Sequence, residues 1–458
     1  MNKAKRLVAL ALALTLAAGA FSGCWNKDDS SSSGGSGSAS SGSGKVYFLN
    51  FKPEVDSVWQ TIAKEYTQKT GVQVKVTTAA SGTYEEQLKS EMAKKEAPTI
   101  FQVNGPVGYA SWADWCADIS GSKLAGRLRE GTGVLGDGEK IYGIPYTVEG
   151  YGIIVNTALM DRYFALEGAK AKSLEEIDGF EKLKAVVEDM QAKKAELGID
   201  GVFASTSLLS GEDWRWQTHL ANVALAPEFD ELGADMTDAK TAPEITFKYA
   251  ENFKNLFDLY LDNSTIDAKL SGSKTVNDSM AEFALGKCAM VQNGNWGYSQ
   301  IAGVEGNVVQ EGDVAFLPMY MGLPGEESQG IAIGTENFLC INAQASEADR
   351  KASLDFLDWL FSSEEGKAHV KGELGFIAPF GTFTAEDAPA DPLGRAVVEW
   401  QNRDGVKNTP WDFTIFPSQT FKDNFGSALL RYAQGSLAWD ELVRSVVADW
   451  KTEKANIA

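Results

Sequence analysis

Lys45-Val-Tyr-Phe-Leu-Asn50, then Val55, Val58, Trp59, Ile62 and Tyr66, then Val72-Gln-Val-Lys-Val76, decide the fold class of this chain. The first run is a short apolar strand. The second set recurs at helical spacing, and Gly71 closes that helix with the residue that best tolerates a left-handed cap. Val72, Val74 and Val76 alternate with Gln73 and Lys75, the period of a half-buried strand. Leu88 and Met92 share one face of a helix over Tyr84 to Lys95, which Pro98 stops. Ile100-Phe-Gln-Val103 reads as a buried strand. The order β-α-β-α-β predicts a parallel sheet with helices on both faces.

Towards the N-terminus the composition changes. Lys3, Lys5 and Arg6 precede an apolar stretch from Leu7 to Phe21, which is short for a membrane span. Phe21-Ser-Gly-Cys24 resembles a bacterial lipobox, in which Leu, a small residue, Gly or Ala, and Cys follow one another. Phe21 departs from the usual Leu, and a plain secretory signal with an incidental cysteine is the alternative. From Asp28 to Gly44 the chain is almost entirely Ser and Gly, so nothing there can bury apolar area. A coil of that length reaches roughly 20–25 Å. The expected organisation is a lipoprotein signal over 1–23 and a tether over 24–44, with lipid on Cys24 as the membrane anchor.

The whole chain has 458 residues, 42 basic and 63 acidic, for a formal charge of −21. That balance opposes phosphate neutralisation, so no nucleic-acid partner is expected. Anionic lipid is equally unfavourable for the folded part. The length exceeds what one small core needs and predicts two lobes. His219 and His369 are the only histidines, which argues against His-rich metal sites and a Ser-His-Asp device. No metal or cofactor is expected. Beyond Cys24, Cys116, Cys288 and Cys340 allow at most one disulfide, and buried thiols are the favoured expectation for Cys288 and Cys340, which lie in apolar runs.

After residue 140 the pattern is mixed. Lys140-Ile-Tyr-Gly-Ile-Pro145 and Gly150-Tyr-Gly-Ile-Ile-Val-Asn156 read as extended pieces. Helices are expected over about 174–197, 247–260 and 280–285, around Leu354 to Phe361, and within 429–450. Further strands are expected at 288–291, 314–317 and 338–341. Gly131-Thr-Gly-Val-Leu-Gly136 matches G-x-G-x-x-G, but a charged helical segment precedes it and Asp137-Gly-Glu-Lys140, which looks like a hairpin turn, follows, so it reads as loop.

The aromatic residues carry more. Many of the 12 Trp, 13 Tyr and 23 Phe stand beside Asn, Asp or Glu in loop-like contexts. Gly211-Glu-Asp-Trp-Arg-Trp216, Gly294-Asn-Trp-Gly-Tyr298 and Pro410-Trp-Asp-Phe413 are the clearest. A sugar ring has an apolar C–H face and a hydroxyl rim. An aromatic plane covers the first, and carboxylates and amides bind the second. Core packing is the competing explanation for any single Trp.

Four longer segments together resemble the bacterial extracellular solute-binding proteins of carbohydrate ABC transporters, the group that includes maltose-binding protein. They are residues 140–156, the run Met280 to Trp296 with its Asn-Gly-Asn-Trp end, Gly330-Ile-Ala-Ile-Gly-Thr-Glu-Asn337, and Gly375-Phe-Ile-Ala-Pro379. The resemblance spans 45–458. It implies an α/β, two-lobed fold with a hinge and an interlobe ligand cleft. Lobe 1 would hold 45–150 and 316–383, and lobe 2 would hold 151–315 and 384–458. It further implies a monomer on the extracytoplasmic face that hands a carbohydrate, expected to be an oligosaccharide, to permease subunits.

Residue by residue, the resemblance places Glu149 as the crossing-segment carboxylate and Trp296 as a second-lobe aromatic. Trp214 or Trp216 matches another such position, and Asn104 a contact after the third strand. Lys52 and Glu54 follow the first strand, where open α/β sheets bind ligands. Glu336 and Asn337 are expected at the rim, and Trp411 from its context. Two other functions fit the same residues. One is a receptor for a polyamine or a metal complex. The other is a surface glycosidase using two carboxylates such as Glu149 and Glu336, whose separation would have to suit that chemistry.

Overall fold

A computed structural model describes residues 44–457 other than 81. The signal, Cys24 and the tether up to residue 43 lie outside the described residues. In chain order the strands are β1 (Val46–Asn50), β2 (Val74–Thr78), β3 (Ile100–Asn104), β4 (Leu135–Gly136), β5 (Ile141–Pro145), β6 (Glu149–Asn156), β7 (Met290–Gly294), β8 (Val314–Leu317), β9 (Gln329–Gly334), β10 (Asn337–Ile341) and β11 (Lys407–Pro410). They form two sheets. One runs β2-β1-β3-β10-β5-β4, and the other runs β11-β9-β6-β7 with β8 also on β6.

The first sheet begins as the periodicity predicts. Val46 faces Val74 and Phe48 faces Val76 across parallel strands. The helix Asp56–Thr70 covers this sheet with Trp59, Ile62, Ala63 and Tyr66, and Gly71 caps it at φ 77°. The sheet is not parallel throughout, however. β10 enters from more than two hundred residues downstream and lies antiparallel between β3 and β5. Phe48, Trp59, Phe356, Leu360 and Phe376 anchor the core of this lobe. The second sheet is built on β6, every residue of which is buried. A larger core gathers Tyr151, Phe203, Phe257, Phe421 and Trp450 on it.

Three segments join the lobes. The first lies between Pro145 and Glu149, the second between Gly334 and Asn337, and the third between Phe383 and the helix Pro392–Gln401. Thr335 donates to the carbonyl of Thr147 at 2.9 Å, so the first two are fastened side by side. The second crossing corrects the expected lobe limits. The expected limits put residues 316–334 in lobe 1, but β8 pairs along Ile153–Asn156 and β9 pairs with Glu149–Tyr151, so both belong to the second sheet. A strand's partner is chosen by which edge is free, and local periodicity carries no trace of it.

Elsewhere the local readings shift by a few residues. The helix at 280–285 begins earlier, at Val276, behind a capping box of Thr275 and Asp278. The Gly131–Gly136 run is not loop throughout, because its last two residues form β4, and Asp137 accepts from the N–H groups of Glu139 and Lys140 to turn the chain into β5. Cys116, Cys288 and Cys340 are buried free thiols.

On the first lobe's surface, His369 bridges two carboxylates, with Nδ1 2.6 Å from Glu373 and Nε2 2.8 Å from Glu65. Burial disfavours its charge, but the two carboxylates outweigh that and raise its pKa above the ordinary 6.5. A raised folded-state pKa stabilises fully below about 6.5 and is lost as pH climbs through the higher value. His369→Gln is therefore expected to cost about 0.5 kcal/mol at pH 6, the scale of a solvent-screened pair. The cost should shrink by pH 9. Urea melts at the two pH values check this, and a cost that grows with pH refutes it.

Candidate functional site

β1 ends at the carboxyl edge of the first sheet, and Asn50 shapes the turn that follows. Its amide donates to the carbonyl of Lys52 at 2.8 Å and accepts from the Lys52 N–H at 3.2 Å. This turn aims Lys52 at the second lobe. Its Nζ lies 2.6 Å from Glu149 Oε1, 3.8 Å from Glu54 and 5.3 Å from the ring centre of Trp296. Burial works against the ammonium, but Glu149 and Glu54 outweigh it, and Lys52 stays charged. Burial pushes Glu149 upward, and Lys52 opposes that rise. Tyr146 stands buried beside the pair, and both Lys52 and Glu149 act on its hydroxyl.

Trp296 rests on the carboxyl end of β7. A Cβ on Gly294 would lie 2.0 Å from its ring, so the glycine of Asn-Gly-Asn-Trp makes room for the indole. Asn295 fastens the same loop by accepting from the N–H of Gly150 at 3.0 Å. Trp214 lies 5.9 Å from Trp296, and Trp411 lies 6.3 Å away nearly perpendicular. Between them, His219 stacks on Tyr151 at 4.1 Å and meets Trp411 edge-on at 5.1 Å. Burial, helped by Arg215 and other cations, holds His219 well below its ordinary pKa, so the imidazole is neutral.

Trp216 does not join this cluster. It is 1% exposed and packs edge-on against Phe257 and Tyr260 in the second-lobe core. Trp214 and Trp216 flank the start of the π-helical turn Arg215–Leu220. Residues two apart on a helical backbone face different sides, so one indole reaches the cleft and the other fills the core.

A second group forms where β3 and β10 pair. Asn104 lies opposite Asn337 in the ladder, and its amide donates to Glu336 at 2.8 Å. Asn104 Oδ1 and Asn337 Nδ2 are buried without partners. Burial raises Glu336, and Lys422, from the helix Gln419–Ala433, pulls it back. Burial depresses Lys422 itself, against the carboxylates of Glu336 and Glu85. The lobes touch nearby: a Cβ on Gly105, at φ 56°, would lie 2.5 Å from Thr414 Cβ. The cleft is therefore closed at this seam.

The structure thus brings Lys52, Glu54, Glu149, Trp296, Trp214 and Trp411 to one junction, with Asn104, Glu336 and Asn337 beside it. The same neighbourhood also holds Tyr151, Arg215, His219 and Lys422, which the sequence reading does not single out. Arg215 sits inside the quoted Trp-Arg-Trp run and could have been included with it. Lys422 lies on an ordinary amphipathic helix, with no local signal. Among the described residues, no group of three His, Cys, Asp or Glu side chains is placed to hold a metal ion. No helix among them is long and apolar enough to cross a membrane.

The sequence pattern described as bacterial extracellular solute-binding protein matches residues 61–393, most of the chain. The chain belongs to that family. No match is found among curated protein sequences. Solved structures similar to this solute-binding protein include a chitin oligosaccharide binding protein, with 20% identity and a TM-score of 0.70 over 90% of this chain and 99% of the other. The acarbose-binding GacH receptor of Streptomyces glaucescens gives 16% identity and a TM-score of 0.65 over 90% and 99%. A sugar transporter protein of Bacillus licheniformis in complex with stachyose gives 15% and 0.61 over 90% and 100%. These likenesses show the shared two-lobed fold.

Proposed function

We propose that this solute-binding protein captures an oligosaccharide between its lobes and delivers it to an ABC permease. The observation that carries the proposal is the junction of Lys52, Glu149 and Trp296, flanked by Trp214 and Trp411. Indole planes suit the C–H faces of sugar rings, and the surrounding carboxylates and amides suit hydroxyls. Several indoles in one site favour more than one ring. The sugar ligands named for the similar structures agree with this. Closure by hinge bending would then mark the loaded form for the permease. Lipid on Cys24 would hold a monomeric receptor at the extracytoplasmic face of the membrane. Binding needs no cofactor and no turnover. The family consists of binding proteins, which favours capture over glycoside hydrolysis.

The test is a thermal-shift and calorimetry series on residues 45–458 with mono- and oligosaccharides, polyamines and metal ions. A ligand of the folded state adds about 2.7 kcal/mol of stability at a hundredfold excess over Kd. An oligosaccharide that raises Tm and is recovered intact is the expected result. Shifts from polyamines or metals alone, or cleavage of the glycan, would replace the proposal.

A further inference from the structure

Arg215 is a buried cation at the edge of the aromatic cluster. It opens the π-helical turn Arg215–Leu220 and is 2% exposed. Its guanidinium lies over the face of Trp214, 3.9 Å from the ring centre. Its Nη1 is buried with no hydrogen-bond partner among the described residues. Glu212 and Glu54 act on it only through space, alongside Tyr151 and Tyr260. Burial pushes its pKa down to about 10, which leaves it charged at neutral pH.

A second donor borders the same tyrosine. The Tyr151 hydroxyl bonds Gln292 Oε1 at 3.3 Å, and Gln292 Nε2 is buried and unpartnered. Tyr151 itself lies 6.0 Å from Trp296 and stacks on His219, within the aromatic cluster. An unpaired charge in such surroundings is costly unless a ligand completes it. The guanidinium offers only donors, in a planar fork. A sugar hydroxyl that accepts from Nη1 has to place its own proton on a second acceptor. An sp2 oxygen only accepts.

We propose that Arg215, with Gln292 beside Tyr151, selects a glycan whose bound ring carries an acceptor-only sp2 oxygen. The group is the carboxylate of a uronic acid or the carbonyl of an acylamino sugar, with that ring laid near Trp214. This inference rests on the carbohydrate reading of the cleft. The carboxylate would make charge-assisted, bidentate bonds, while the carbonyl would use a single oxygen.

The experiment is calorimetry on the full folded chain with three series of equal length: hydroxyl-only gluco-oligosaccharides, N-acetylglucosamine oligosaccharides and galacturonate oligosaccharides. One of the last two is expected to bind at least 10-fold tighter than the first. Arg215→Met should erase that preference. Arg215→Lys, which keeps the charge and loses the fork, should restore part of it for galacturonate only. Added salt should weaken the galacturonate complex and leave the N-acetylated one nearly unchanged, which separates the two sources. If Arg215→Met does not fold, Arg215→Lys and Gln292→Leu carry the comparison. A hydroxyl-only series that binds tightest, or a preference untouched by these variants, overturns this inference alone. Failure to bind any glycan overturns the carbohydrate reading, and this inference with it.

Discussion

Lys52→Met is expected to lower the unfolding free energy by about 3–5 kcal/mol, the scale for removing one partner of a buried ion pair. The variant keeps an apolar stem of similar length, so packing is largely preserved. What it removes is the ammonium 2.6 Å from Glu149 Oε1. Glu149 is 3% exposed, and without Lys52 its carboxylate must either stay charged in the interior or take up a proton. The pair Lys52→Met with Glu149→Gln should recover most of the loss, because no charge is then stranded. Urea unfolding of the two single variants and the double variant forms the cycle. Equal losses that simply add in the double variant would show that the two residues are not coupled.

Trp296→Ala is expected to weaken ligand binding by roughly 30-fold or more, equivalent to about 2 kcal/mol, as for a central aromatic anchor. The indole meets Lys52 of the opposite lobe and Trp214 and Trp411 of its own. It therefore stands where both lobes would face a ring. Trp216→Phe provides the contrast. Its indole is buried away from the cleft, so the substitution should lower Tm while leaving Kd within about twofold, as for a core change that affects stability first. Calorimetry of both variants with one glycan decides the assignment. Reversed effects would put Trp216, not Trp296, at the ligand.

Several parts of the candidate site were legible because they follow local rules. Lys52 and Glu54 sit just past the first strand, where open α/β sheets present their ligand edge. Glu149, Trp296 and the pair Glu336 and Asn337 came from segments that resemble one family. Trp214 and Trp216 could not be told apart, because the choice depends on which way a π-helical turn faces. Lys422 was invisible. It acts on Glu336 through space from a helix more than eighty residues away, and nothing in the helix Gln419–Ala433 marks one lysine among its polar residues.

The sequence alone determined the leading β-α-β-α-β unit, two lobes and a chain unsuited to nucleic acid. Periodicity, glycine caps and charge act within a few residues or over the whole composition, and both scales can be read without coordinates. Only the tertiary structure decided that β10 runs antiparallel between β3 and β5, that β8 and β9 belong to the second sheet, and that Lys52 meets Glu149 and Trp296. Those pairings join residues some 100 to 250 positions apart. Their energies arise only once strand edges are matched and water has left the cleft, and no local pattern in the chain encodes them.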